Sequence, residues 1–169
     1  MSVAAGAARP SVRRRALLSA ALSALAIAVV GGLATDIGPW YAALKKPAWQ
    51  PPDWAFGPGW TLIYAFSVWS AVTAWTTRAD AGWRRAYLWL WAFNGLVNIL
   101  WSVLFFRLHR PDWALSEVLL LWLSIAALIV WSARVSRKAA LLLLPYIAWV
   151  TFAATLNLAV VRLNAPFGG

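Results

Sequence analysis

Long unbroken apolar runs, separated by short clusters of basic residues, organise this chain. Five runs, over residues 16–34, 58–75, 83–108, 113–135 and 139–161, are each long enough for a hydrocarbon core of ~30 Å, which takes about 20 helical residues. In lipid the backbone must satisfy its own hydrogen bonds, so each run predicts a membrane-spanning helix. The separators at 76–82, 109–112 and 132–138 are short and join antiparallel neighbours. The pattern therefore predicts an all-α membrane protein, a five-transmembrane-helix bundle forming one domain over residues 16–164. A basic tail over 1–15, with its first twelve residues expected to be disordered, precedes it, and a short tail at 165–169 follows. The first run comes directly after Arg13-Arg14-Arg15, like the charged and apolar parts of a signal peptide. It is longer than the roughly 7–15 residues of such a region and lacks a small-x-small site with a polar lead-in, so it is read as a retained span.

Charge gives these spans a direction. The chain has 15 Lys and Arg against 5 Asp and Glu, and only 12% of its residues are charged, about half of the ~25% usual in soluble domains. Nucleic acid is excluded as a partner because the basic residues cluster between apolar runs instead of lining one polar face. Arg9, Arg13, Arg14, Arg15, Arg78, Arg84, Arg85, Arg134, Arg137 and Lys138 fall on one side of the membrane. Lys45, Lys46, Arg107, Arg110 and Arg162 fall on the other. An excess of cations marks the cytoplasmic side, which predicts a cytoplasmic N-terminus and an extracytoplasmic C-terminus in a bacterial cell membrane.

The connection between the first two runs differs from the others. Residues 36–59 read DIGPWYAALKKPAWQPPDWAFGPG and hold five of the nine prolines, which fix φ and block a continuous helix. Long aromatic loops commonly serve as lids, so Trp49, Pro51, Pro52, Trp54 and Phe56 are expected to form a long first loop capping a ligand cavity at the bundle mouth. The alternative for the loop tryptophans is simple anchoring at the membrane interface.

Fourteen tryptophans in 169 residues, with no cysteine and one histidine, suit either that interface or a pocket for a flat aromatic ligand. Helical spacing picks out candidates. Trp149, Ala153, Leu156, Asn157 and Val160 share a face of the fifth run, where the small Ala153 beside an indole leaves a notch or allows close helix packing. Asn94, Asn98, Trp101 and Phe105 share a face of the third. Two amides one turn apart avoid lipid, so they brace neighbouring helices or orient a ligand. Glu117, one turn after Trp113, lies near a helix start, where the dipole favours an acid, or it touches ligand. Trp60 and Tyr64 are one turn apart near the mouth. In the first run Ala20, Ala24, Ala28 and Gly32 form a four-residue step suited to helix packing.

The stretch WYAALKKPAWQPPDWAFGPGW with TLIYAF, then NILWSVLFF at 98–106, DWALSE at 112–117 and PYIAWVTFAATLN at 145–157, closely resembles the TspO/MBR family. This is the family of tryptophan-rich sensory proteins and translocator proteins, also called peripheral-type benzodiazepine receptors. The resemblance covers roughly residues 40–164. It implies a five-helix bundle, often a homodimer, with an intramembrane cavity for porphyrins (protoporphyrin IX and haem-like tetrapyrroles) and related flat hydrophobic ligands. The resemblance implies Trp60, Asn98, Trp101, Trp149, Ala153 and Leu156 as ligand-binding residues, and helical spacing adds Tyr64, Asn94, Trp113, Glu117 and Asn157 as candidates for the same site. Many members carry Asp at the position of Glu117. The tyrosine of a sterol-recognition pattern is replaced here by Leu158, while Arg162 is kept, which argues against inferring sterol affinity.

Three classes of function follow. Binding, for sensing, regulation or transport, needs only a pocket, with porphyrin or haem as ligand, no obligatory cofactor and no metal. Conventional catalysis has little support: the carboxylates make no acid–base pair by spacing, and His109 has no metal-ligand companion. Light-dependent oxidative degradation of porphyrin through Trp60 and Trp149 is the enzymatic alternative the resemblance leaves open. A transporter of tetrapyrroles or sterol-like lipids is the other, although paired broken helices and a buried coupling charge are missing from the sequence.

Overall fold

The computed structural model describes residues 10–167. All regular structure among them is helical. Helix α1 (Pro10–Ala34) is followed by the short α2 (Pro39–Ala43) and a 3-10 turn (Asp53–Ala55) that leads into α3 (Phe56–Thr77). Then come α4 (Ala81–Ser102), continued by a π-helical turn (Val103–Arg107), α5 (Pro111–Ala133), the short α6 (Arg137–Leu141) and α7 (Leu144–Asn164). Among the described residues four helical stretches are long and apolar enough to cross a membrane: Pro10–Ala34, Ala81–Arg107, Pro111–Ala133 and Arg137–Asn164. Five had been expected. Helix α3, at 22 residues, is ~33 Å long, but its glycines and its Trp, Tyr, Ser and Thr side chains lower its mean hydropathy.

Local chemistry moves the boundaries by a few residues. The Asp80 carboxylate accepts the Trp83 backbone N–H at 2.7 Å and starts α4 two residues before the expected 83, as an N-cap does. Ser136 caps α6 in the same way at Ala139. Pro111 opens α5, where its missing N–H is harmless. The last run, expected as one helix over 139–161, has a turn at 142–143 just before Pro145, which has no N–H to continue the ladder. Helix α1 begins at Pro10, inside the stretch expected to be a disordered tail; the rest of that tail, residues 1–9, lies outside the described residues.

Helix α5 lies at the centre, against α4 and α7, while α1 packs on α3 and α4. Its buried residues Ala114, Glu117, Val118, Leu121, Ser124, Ile125 and Leu128 recur at three- and four-residue steps and form one inward stripe. Val118, Leu121 and Ile125 meet Ile63, Val97, Tyr146 and Val150 in the largest core cluster.

The connection between α1 and α3 doubles back onto the end where α4, α5 and α7 converge. Asn164, the last residue of α7, accepts the Lys45 backbone N–H and donates to the Lys45 carbonyl, both at 2.8 Å. Trp40 stacks on His109 at 4.2 Å between ring centroids, with His109 held at φ 54°. Tyr41 is buried. Its hydroxyl donates to Asp53 at 3.0 Å, and the Lys46 ammonium lies 3.7 Å over its ring, a cation–π contact.

Candidate functional site

Helices α3 and α7 bring a set of aromatic rings together below this connection. Trp60 stacks on Tyr64, one turn on, at 5.6 Å. It meets Tyr146 edge-on at 6.2 Å and Trp149 edge-on at 6.4 Å. Phe56 and Phe152 each lie 5.9 Å from Trp149, and Trp49 of the connection sits edge-on to Phe152 at 5.9 Å. These separations are those of favourable aromatic pairs. Gly59 explains how Trp149 fits: a Cβ there would stand 2.6 Å from the indole Cη2, so only glycine lets the ring lie against α3 at this point.

Behind the rings runs a head-to-tail chain of hydrogen bonds through four helices. The Tyr64 hydroxyl donates to Asn98 Oδ1 at 3.3 Å, and Asn98 Nδ2 donates to the Tyr146 hydroxyl at 3.2 Å. Tyr146 donates to Asn94 Oδ1 at 3.3 Å, Asn94 Nδ2 to Ser124 Oγ at 2.8 Å, and Ser124 to the Leu121 carbonyl at 2.7 Å. Each group passes its donor in the same sense, an arrangement in which neighbouring bonds polarise one another. Both amides of α4 are buried and brace the bundle. Sequence reasoning missed Tyr146 and Ser124. The signal was present, since Tyr146 lies three residues before Trp149 and Ser124 seven after Glu117, each on the same helix face.

The other expected residues divide. Ala153 and Leu156 are half-buried on α7. Asn157 is buried and donates to the Pro111 carbonyl at 2.8 Å, which ties α7 to the start of α5. Its Oδ1, both Glu117 carboxylate oxygens and the Trp101 Nε1 are buried without a partner. The Trp101 ring pairs with Phe105 at 5.2 Å and Phe106 at 6.1 Å and packs on the core cluster that Trp60 and Trp149 also border. Trp113 is exposed beneath the Arg110 guanidinium at 4.1 Å, and Arg110 is ion-paired with Asp112; the indole therefore does not join the rings of α3 and α7. In the connection, Trp54 is 76% exposed, Pro51 is half-buried and Pro52 exposed, so Trp49 and Phe56 are the two lid candidates that touch the cluster. Burial and the Asp53 hydrogen bond push the Tyr41 hydroxyl up to about 12. Among the described residues no three His, Asp or Glu side chains gather as a metal site would need.

A polytopic all-α membrane protein whose helices enclose tryptophan rings backed by a buried polar chain is the class these features define. The TspO/MBR family pattern matches residues 19–163, and the chain belongs to that family. It is 38% identical over 152 residues to the tryptophan-rich protein TspO of Archaeoglobus fulgidus, covering 88% of this chain and 97% of that one. It is 37% identical over 136 residues to the human translocator protein, covering 77% and 78%. With the tryptophan-rich sensory protein of Cereibacter sphaeroides it shares 34% over 125 residues, covering 74% and 77%.

Proposed function

We propose that the chain is a membrane receptor that binds porphyrins and related flat hydrophobic molecules between α3 and α7, with Trp60 and Trp149 as the contact rings. The observation that carries this reading is the Trp60–Trp149 pair at 6.4 Å seated over Gly59. Two large rings at right angles, one resting on a position with no side chain, can part to admit a third flat π-system and stack on it. Ala153, one turn beyond Trp149, adds no bulk to the same side. The Tyr64–Asn98–Tyr146–Asn94 chain fixes the Tyr64 and Tyr146 rings against which Trp60 packs, so binding need not order those two anew. Trp49, which touches Phe152, supports reading the connection over residues 35–55 as a cap on this site, and Phe56 at the start of α3 touches Trp149.

In this reading α3 is a fifth span, since its length suffices and both neighbours, α1 and α4, are spans of opposite direction. The ten cations of the N-terminal side support a cytoplasmic N-terminus in a bacterial cell membrane. The homodimer rests on the family resemblance alone, since Ala20, Ala24 and Ala28 of the small-residue step along α1 are half-buried and Ala24 and Ala28 border α3.

Titration of detergent-solubilised protein with protoporphyrin IX, followed by Trp fluorescence, tests the pocket. Saturable quenching is expected in the wild type. Ala153→Phe should weaken it about tenfold, because added bulk in a packed site costs about 1–3 kcal/mol. Unsaturable quenching, or equal affinity in the variant, would remove the assignment. Illumination with product analysis then separates a receptor from a porphyrin-degrading enzyme, and uptake into proteoliposomes separates both from a transporter.

A further inference from the structure

A groove of about 640 Å³ runs between α1 and α3 on the outer surface of the bundle. Its walls include Leu17, Ala24 and Ala28 from α1 and Ala65, Trp69 and Val72 from α3. From Thr61 to Val72 it follows α3 for ~16 Å, about half of a ~30 Å hydrocarbon core and so one leaflet deep. Its one charged lining group, Arg13, stands at the end formed by the start of α1 and the last third of α3. The Lys138 ammonium lies 5.5 Å from the Trp69 ring at that same end. Lys138 and Arg137 also border a second apolar groove of about 450 Å³, between Phe66 of α3 and Leu141, Leu142 and Pro145. Two apolar channels one on each side of α3 thus share a cationic end.

We infer that this surface is a binding site for an anionic diacyl phospholipid, with one acyl chain in each groove and the phosphate held between Arg13 and Lys138. The apolar walls suit hydrocarbon and the paired cations suit a headgroup phosphate at the level where Trp69 sits. A second copy of the chain fits less well. Of the five acidic residues, Asp80 alone lies on the Arg13 side, and it is engaged by the Trp83 N–H and by Arg78 at 4.0 Å. The partner copy therefore has no free carboxylate to offer these cations. The inference does not rest on porphyrin binding: the far end of the groove reaches Tyr64, which stacks on Trp60, but the headgroup end is formed by Arg13, Trp69 and Lys138.

Native mass spectrometry of the full chain with phosphatidylglycerol or phosphatidylcholine of matched acyl chains tests it. One phosphatidylglycerol should be retained at concentrations where phosphatidylcholine is lost. Arg13→Gln with Lys138→Gln should weaken that retention about 25-fold, roughly fivefold for each cation near a membrane surface. Arg14→Gln with Arg15→Gln removes equal charge from the same helix end without touching the groove and should leave retention unchanged. Equal loss in both double variants, or equal retention of the two lipids, would overturn the site. Ala65→Phe, which fills the α1–α3 groove and keeps every charge, should expel the lipid without altering the oligomeric state. If it instead dissociates an oligomer while phosphatidylglycerol stays bound, the groove is an interface between copies and the inference falls.

Discussion

Tyr146 is the residue on which the interior most depends. Its hydroxyl accepts from Asn98 and donates to Asn94, and its ring meets Trp60. Tyr146→Phe keeps the ring but leaves one amide N–H and one amide oxygen unpaired in a dry interior, which costs about 1–3 kcal/mol. The expected result is a lower unfolding midpoint in mixed micelles, partly restored by pairing the change with Asn94→Leu, which removes the stranded oxygen and leaves Ser124 bonded to the Leu121 carbonyl. An unchanged midpoint for Tyr146→Phe would mean that the chain of bonds carries no stability. The sequence made Asn94 and Asn98 conspicuous because amides are rare at that depth. It left Tyr146 inconspicuous because a tyrosine beside tryptophans reads as one more aromatic. Trp101, grouped with Asn94 and Asn98 by helical spacing, packs on the core cluster that Trp60 and Trp149 also border, and its ring pairs with Phe105 and Phe106.

At the scale of elements, run length and apolar content were legible, because a helix is what an apolar run must become in lipid. The π-turn at Val103–Arg107 was not. Its mark is the Leu108 N–H, which donates to the Val103 carbonyl at 2.9 Å, five residues back, a choice that apolar run length does not encode. The long connection was legible as special through its prolines and tryptophans, but its clamp was not, since Asn164 lies 119 residues from Lys45. A spin label on Ala48→Cys, in a chain without cysteine, reports on that clamp. Asn164→Ala should loosen the label at neutral pH by removing both bonds to Lys45. In the wild type, Tyr41 adds a pH dependence. Its value of about 12 exceeds the ~10 of a free tyrosine, so its contribution is whole below pH ~10 and is lost as pH rises from there through about 12. Label mobility should rise across that window and stay flat there in Tyr41→Phe; an identical rise in the variant would assign the transition to another group.

At the scale of the whole molecule, the fourteen tryptophans separate by depth and by partner. Three pair with cations of the N-terminal side, Trp69 with Lys138, Trp75 with Arg84 and Trp131 with Arg134, as anchors at a charged interface do. Trp83 and Trp91 pack with Tyr87 in a second core near that side. Trp60 and Trp149 alone face each other across α3 and α7, over Gly59. The central claim is that a porphyrin binds at this pair and not at the anchors. Fluorine NMR of protein labelled with fluorotryptophan, each resonance assigned by a Trp→Phe change, tests it most directly. On titration with protoporphyrin IX the Trp60 and Trp149 resonances should shift together and saturate, while those of Trp75 and Trp131 stay in place. Saturating shifts at Trp75 and Trp131 with Trp60 and Trp149 unmoved would contradict the account.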